Sequence, residues 1–129
     1  MLCFAEGVPD LPHRIATLLY CFNRADEVLL LQRAKEPNRG LWSPPGGKLD
    51  VRHGERGYEG TAHWLMFLLE LRPRLEVLPD AHEEGGFGFF SRTQIASLPI
   101  PQTDREQIWP LFWRHRGGFF AAACECSSG

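Results

Sequence analysis

The stretch Gly40-Leu41-Trp42-Ser43-Pro44-Pro45-Gly46-Gly47-Lys48-Leu49-Asp50 decides how the rest of this 129-residue chain is read. Its paired prolines and paired glycines exclude a helix interior and mark a sharply bent segment. Glycines at 46 and 47 let the backbone approach a neighbour or a ligand more closely than any residue with a side chain. Upstream, Val28 to Arg33 is an apolar run that reads as a strand. Ile15 to Phe22, rich in β-branched and aromatic residues, reads as its hairpin partner across a turn at Asn23-Arg24-Ala25-Asp26-Glu27. The quoted stretch then sits inside a Pro/Gly-punctuated loop from Lys35 to Gly54.

Downstream, His63 to Leu71 is nearly all apolar, a pattern shared by buried strands and buried helices. Gly54, Gly57 and Gly60 before it and Pro73 after it favour a short strand. Leu75 to Leu78 and Phe87 to Phe90 read as further strands, the latter fed by Gly85-Gly86. Ser91-Arg92-Thr93-Gln94 has the capping-box pattern, so a short helix to about Ser97 is expected. Thr103-Asp104-Arg105-Glu106 repeats that pattern ahead of a helix with Ile108, Leu111 and Phe112 on one face. Pro110 should kink or restart that helix. Trp109, Phe112 and Trp113 read as helix packing. The fold class is α+β, with strands mostly first and helices at the C-terminal end.

At this length one domain is expected over 1–129, with an N-terminal arm at 1–13 and a loose tail at 118–129. Apolar residues make up 43%, enough for a core. With 14 basic and 16 acidic residues, the formal charge of −2 argues against bulk binding to nucleic acid or to anionic membranes. No basic n-region with a long apolar stretch opens the chain, and no run is long enough to span a bilayer, so a cytoplasmic setting is expected. Cys21 falls in an apolar strand pattern and reads as a small buried hydrophobe. Cys124-Glu125-Cys126 reads as tail rather than as a metal site.

The strand Val28–Arg33, then Gly40-Leu41-Trp42, then Pro45-Gly46-Gly47-Lys48-Leu49-Asp50 resembles the approach to the catalytic box of Nudix hydrolases, the MutT-like family. That box reads Gly, five residues, Glu, seven residues, then Arg-Glu-U-x-Glu-Glu-x-Gly-U, with U apolar. The segment Glu83 to Ile100 and a terminal helix after Thr103 resemble the family's C-terminal half. The likeness covers most of the chain, with its specificity concentrated in residues 40–50. It implies a mixed sheet, a nucleotide-type small molecule as ligand, and Mg²⁺ or Mn²⁺ as cofactor. The implied reaction is hydrolysis of nucleoside-diphosphate-linked pyrophosphates.

Such a reaction needs neutralised phosphate oxygens and an activated water. Glutamates at i, i+3 and i+4 of a helix share one side and can hold hard cations there. By resemblance, Gly47 takes the first box position and offers its carbonyl to the metal. Gly46 and Lys48 beside it, with Arg33 and Trp42, fall to substrate contact. Glu83 and Glu84 are the candidate catalytic residues, as general base or as support to the metal. Allowing a two-residue loop insertion, Glu55 takes the first Glu of the box, and Asp50 the acidic position in the turn. Read without the resemblance, Glu55, Glu83 and Glu84 are solvated charges, Arg33 is a surface ion pair, and Trp42 is core or pocket wall. His53, His63 and His82 form no ligand pattern.

Beyond Glu55 the resemblance breaks. The Arg-Glu pair is due at 63–64, where the chain has His63-Trp64; the Glu-Glu pair is due at 67–68, where it has Phe67-Leu68. Arg56 onward resembles instead the strand that follows the family's catalytic helix. This implies a deletion near Glu55/Arg56 of a helix, a strand and their connections, roughly 25–35 residues. The expected architecture is thus a Nudix-like mixed sheet with C-terminal helices that lacks the usual catalytic helix. Three readings follow: a pyrophosphohydrolase with impaired activity, a catalytically dead nucleotide- or protein-binding module, and a truncated deletion form with an uncovered apolar sheet face.

Overall fold

A computed structural model describes residues 13–36, 38–48 and 63–123. Among the described residues six strands come first: β1 His13–Tyr20, β2 Val28–Arg33, β3 Trp42–Ser43, β4 Gly46–Lys48, β5 His63–Glu70 and β6 Gly85–Phe90. Then follow α1 Arg92–Ile95 and a π-helical stretch, Asp104–Ile108, that runs into α2 Trp109–His115. This is the mixed α+β arrangement expected. No described helix is long and apolar enough to cross a membrane.

The strands form two three-stranded sheets, ordered β4-β1-β5 and β3-β2-β6. β1 runs antiparallel to β4 and parallel to β5, with His13 opposite His63 and Tyr20 opposite Glu70. β2 is antiparallel to both of its neighbours. Two short links are among those that join the sheets. Beyond β1, Phe22 bridges to Val28 across the hairpin. Pro44-Pro45 carries the chain from β3 to β4, and the Leu19 amide donates to the Pro45 carbonyl at 2.8 Å.

The hairpin turn is built from Asn23 and Asp26. The Asn23 Oδ1 accepts from the Glu27 amide at 2.9 Å and its Nδ2 donates to the Glu27 carboxylate at 2.9 Å, pinning the two ends of the turn together. Asp26 sits at φ 60°, a left-handed conformation that Asp tolerates better than most side-chain-bearing residues. β2 is buried on both faces: Val28 and Leu30 are fully enclosed, and Leu29 and Leu31 nearly so. The core gathers Tyr20, Phe22, Val28, Leu30, Ile95, Ile100, Trp109 and Phe112. Tyr20 stacks on Phe112 with centroids 3.9 Å apart and meets Trp109 edge-on at 5.3 Å. Such aromatic pairs add about 0.5–1.5 kcal/mol each beyond area burial.

Only one face of the β4-β1-β5 sheet joins this core. Ala16 and Tyr20 are buried on it, and Leu18 and Leu68 pack against the cluster. On the other face, Leu19, Phe67 and Leu69 keep 37%, 46% and 50% of their surface. Thr17 opposite Phe67 and Leu19 opposite Leu69 place these side chains together on that face.

Several expectations need correction. The first strand runs His13–Tyr20 rather than from Ile15 to Phe22. The loop from Lys35 to Gly54 contains β3 and β4. Leu75 to Leu78 is not a strand: Leu75 makes an isolated bridge to Asn23, and Val77 is 77% exposed. Ser91 forms the expected capping box, reciprocated by Gln94. Thr103 does not: its backbone is already helical, and the Arg105 amide donates to Pro101 at 3.0 Å, so the helical path opens earlier than the motif suggested. Pro101 fits such an opening, where no N–H is needed. Pro110 restarts the helix. It cannot donate to the Glu106 carbonyl and would clash with it, and the turn before it widens so that the Trp109 amide bonds Asp104 instead. The expected N-terminal arm lies almost wholly outside the described residues, as does the end of the tail.

A charged clasp closes the end of the core. The Arg116 guanidinium donates to both Asp26 carboxylate oxygens, at 2.9 and 3.0 Å, and to Glu70 at 3.1 Å. It also lies 3.7 Å from the Phe22 ring centroid. Arg74 donates to Asp26 at 2.9 Å. The two guanidinium groups hold the Asp26 carboxyl down at about 2. Arg116→Ala is expected to cost on the order of 1–2 kcal/mol in denaturant unfolding. Because Asp26 titrates lower in the folded chain than the ordinary 3.8, its contribution is complete above about pH 4 and is lost as pH falls toward 2. The Arg116→Ala deficit should therefore shrink over that window.

Asp104 behaves in the opposite sense. Burial raises its carboxyl to about 6. The folded chain holds that proton more tightly than the unfolded one, so this group makes stability rise as pH falls from about 6 toward 4. Burial, reinforced by the Asp104 charge, also raises the Tyr20 phenol, whose hydroxyl has no hydrogen-bond partner among the described residues. Asp104→Asn should raise Tm at pH 7, with the gain vanishing near pH 4 in scanning calorimetry.

Candidate functional site

β4 carries the glycine pair onto the edge of β1, with Leu18 opposite Gly46, Thr17 opposite Gly47 and Ala16 opposite Lys48. A Cβ at position 46 would stand 1.9 Å from the Thr17 carbonyl oxygen, so only glycine permits this approach. At position 47 a Cβ would meet nothing within 4 Å, so the Gly47 backbone is not crowded by described atoms. Pro44 is buried, which pins the entry to the strand.

The second part of the site forms around the end of β2. The Arg33 amide donates to Leu41 at 3.0 Å, and the Gly40 amide donates to the Arg33 carbonyl at 2.8 Å. On the other side Arg33 pairs with Gly85, and the Ala34 amide donates to the Glu84 carbonyl at 2.9 Å. Gly85 is also obligatory: its φ is 146°, and a Cβ there would lie 1.8 Å from the Gln32 carbonyl oxygen. His82 and Gly85 exchange backbone hydrogen bonds at 3.0 Å, which places Glu83 and Glu84 at the tip of a tight hairpin, exposed. His82 Nδ1 accepts from the Glu84 amide at 3.1 Å, so this histidine braces the acidic turn.

Trp42 pairs with Gln32 and meets Phe90 edge-on at 4.8 Å. It packs against the core cluster, half-buried, and its amide donates to Pro99 at 2.9 Å. It is a wall between the sheet and the segment after α1.

The candidate residues thus fall into two groups. Arg33, Trp42, Glu83 and Glu84 gather on and beside the β3-β2-β6 sheet. Gly46, Gly47 and Lys48 belong to the β4-β1-β5 sheet. Glu55 and Asp50 lie outside the described residues. Gln32 was not anticipated; its Nε2 donates to the Gly40 carbonyl at 3.1 Å and fixes the start of the glycine-proline segment. Nothing in the alternation of β2 distinguishes it. Arg39, likewise unanticipated, donates from Nε to the Ala34 carbonyl at 3.2 Å.

Divalent cations of the magnesium type need several oxygen ligands converging on one point. Among the described residues no three His, Cys, Asp or Glu side chains converge in that way.

The pattern that defines the Nudix domain matches residues 12–63, which include β1 to β4. Similar folds occur among solved structures. A MutT protein from Methanosarcina mazei Go1 superposes with a TM-score of 0.65 at 17% identity, over 84% of this chain and 98% of that one. The NUDIX domain of Shewanella oneidensis NrtR, complexed with ADP ribose, gives 0.55 at 14% identity, over 81% and 88%. A bifunctional NMN adenylyltransferase/ADP ribose pyrophosphatase from Francisella tularensis, complexed with AMP and a Mn ion, gives 0.54 at 16% identity, over 82% and 42%. At these identities the likeness is one of fold. No curated protein is significantly similar in sequence.

The two glycines should separate by substitution. Gly46→Ala forces a methyl group into backbone and is expected to cost about 2–3 kcal/mol. Gly47→Ala should stay within about 1 kcal/mol of the parent. Denaturant unfolding of the two variants checks this; equal losses would contradict the registered β4–β1 pairing.

Proposed function

We propose that this chain is a member of the Nudix superfamily that holds a nucleoside-diphosphate-type compound and turns it over poorly. The observation that carries this reading is the connection from β4 to β5. Residues 49–62 make the whole connection, and they contain no Arg-Glu-U-x-Glu-Glu cluster. The approach to the box is retained, and the carboxylates that should follow it are not.

In this reading the glycine segment admits the phosphates close to the backbone. Arg33 and Lys48 supply positive charge for the diphosphate. Trp42 walls the ligand from the core, and Glu83 and Glu84 on their braced hairpin are the acids available to orient a water. In the wider family Mg²⁺ or Mn²⁺ supplies charge neutralisation and water activation. Glu55 is the carboxylate aligned with the box, and one aligned carboxylate holds magnesium weakly. Two structurally similar proteins, one holding ADP ribose and one holding AMP with manganese, support the class of ligand.

The test is titration of the purified chain with ADP-ribose, with and without Mg²⁺ or Mn²⁺, alongside an assay for released AMP. Saturable binding is expected, with AMP release no more than slightly above a protein-free control. Many turnovers per minute with magnesium would overturn the impaired reading, and no binding at millimolar ligand would overturn the nucleotide reading.

A second reading, a shortened form of an ordinary hydrolase, is favoured by the exposed apolar face at Leu19, Phe67 and Leu69. Inserting a helical segment with the Arg-Glu-U-x-Glu-Glu pattern between Glu55 and Arg56 should then create magnesium-dependent turnover and lower the binding of an apolar dye. An insertion that folds yet changes neither would sink it.

A further inference from the structure

We draw no further inference here: the strongest candidate, the exposed apolar face of the β4-β1-β5 sheet carrying Leu19, Phe67 and Leu69, has nothing in the structure to show what covers it.

Discussion

The Tyr20 ring lies on the Phe112 ring at 3.9 Å, and most of the architecture is arranged around that contact. Tyr20 ends β1, the central strand of one sheet; two residues on, Phe22 pairs into the hairpin that leads to the other. Phe112 stands on α2, so the stack ties the strand that joins the sheets to the helix that covers them. Its position on α2 depends in turn on the widened turn before Pro110. The Arg116 clasp fixes the far end of the same helix to the hairpin and to β5. The cost of this packing is polar: a phenol hydroxyl without a partner among the described residues and the half-buried Asp104 carboxylate, groups whose burial disfavours the folded chain.

Local features of this fold were legible in the sequence, and long-range ones were not. Val28–Arg33 could be bounded residue by residue because its apolar run is framed by a turn and by Ala34-Lys35. The ambiguous run from His63 resolved as a strand because glycines before it and Pro73 after it leave no room for a longer helix. The capping box at Ser91 was readable because a hydroxyl and an amide three residues apart carry their own geometry. The same pattern at Thr103 misled, since Pro101 had already started the helix. Nothing local announces that β1 lies between β4 and β5, or that Arg116 meets Asp26 across 90 positions. Those contacts follow from the assembled core and not from periodicity.

The candidate site divides along the same line. Gly46 and Gly85 stand out as glycines in a sequence, but the reason for each is the carbonyl of a neighbouring strand, at Thr17 and Gln32. Arg33 and the Glu83-Glu84 pair were single residues far apart in the chain, and β-pairing of β2 with β6 makes them neighbours. The backbone geometry around these candidate residues is therefore built by strands that also hold the core together. Carboxylates for a metal do not share that dependence. In the family they come from a helix inserted between strands, and a protein can lack them without altering the pairings that place Gly46 or Arg33.

The parallel register of β1 with β5 sets partners 50 positions apart in the chain, His13 with His63 and Tyr20 with Glu70. The entropy of closing such a long loop depends only logarithmically on its length. Lengthening the intervening chain by roughly 30 residues raises that cost by only about 0.4 kcal/mol, less than one good hydrogen bond contributes. The sheet is almost indifferent, as a polymer problem, to whether a cassette of that size is present. As a matter of chain closure alone, the β1–β5 pairing therefore leaves the length of the connection between β4 and β5 almost free to vary.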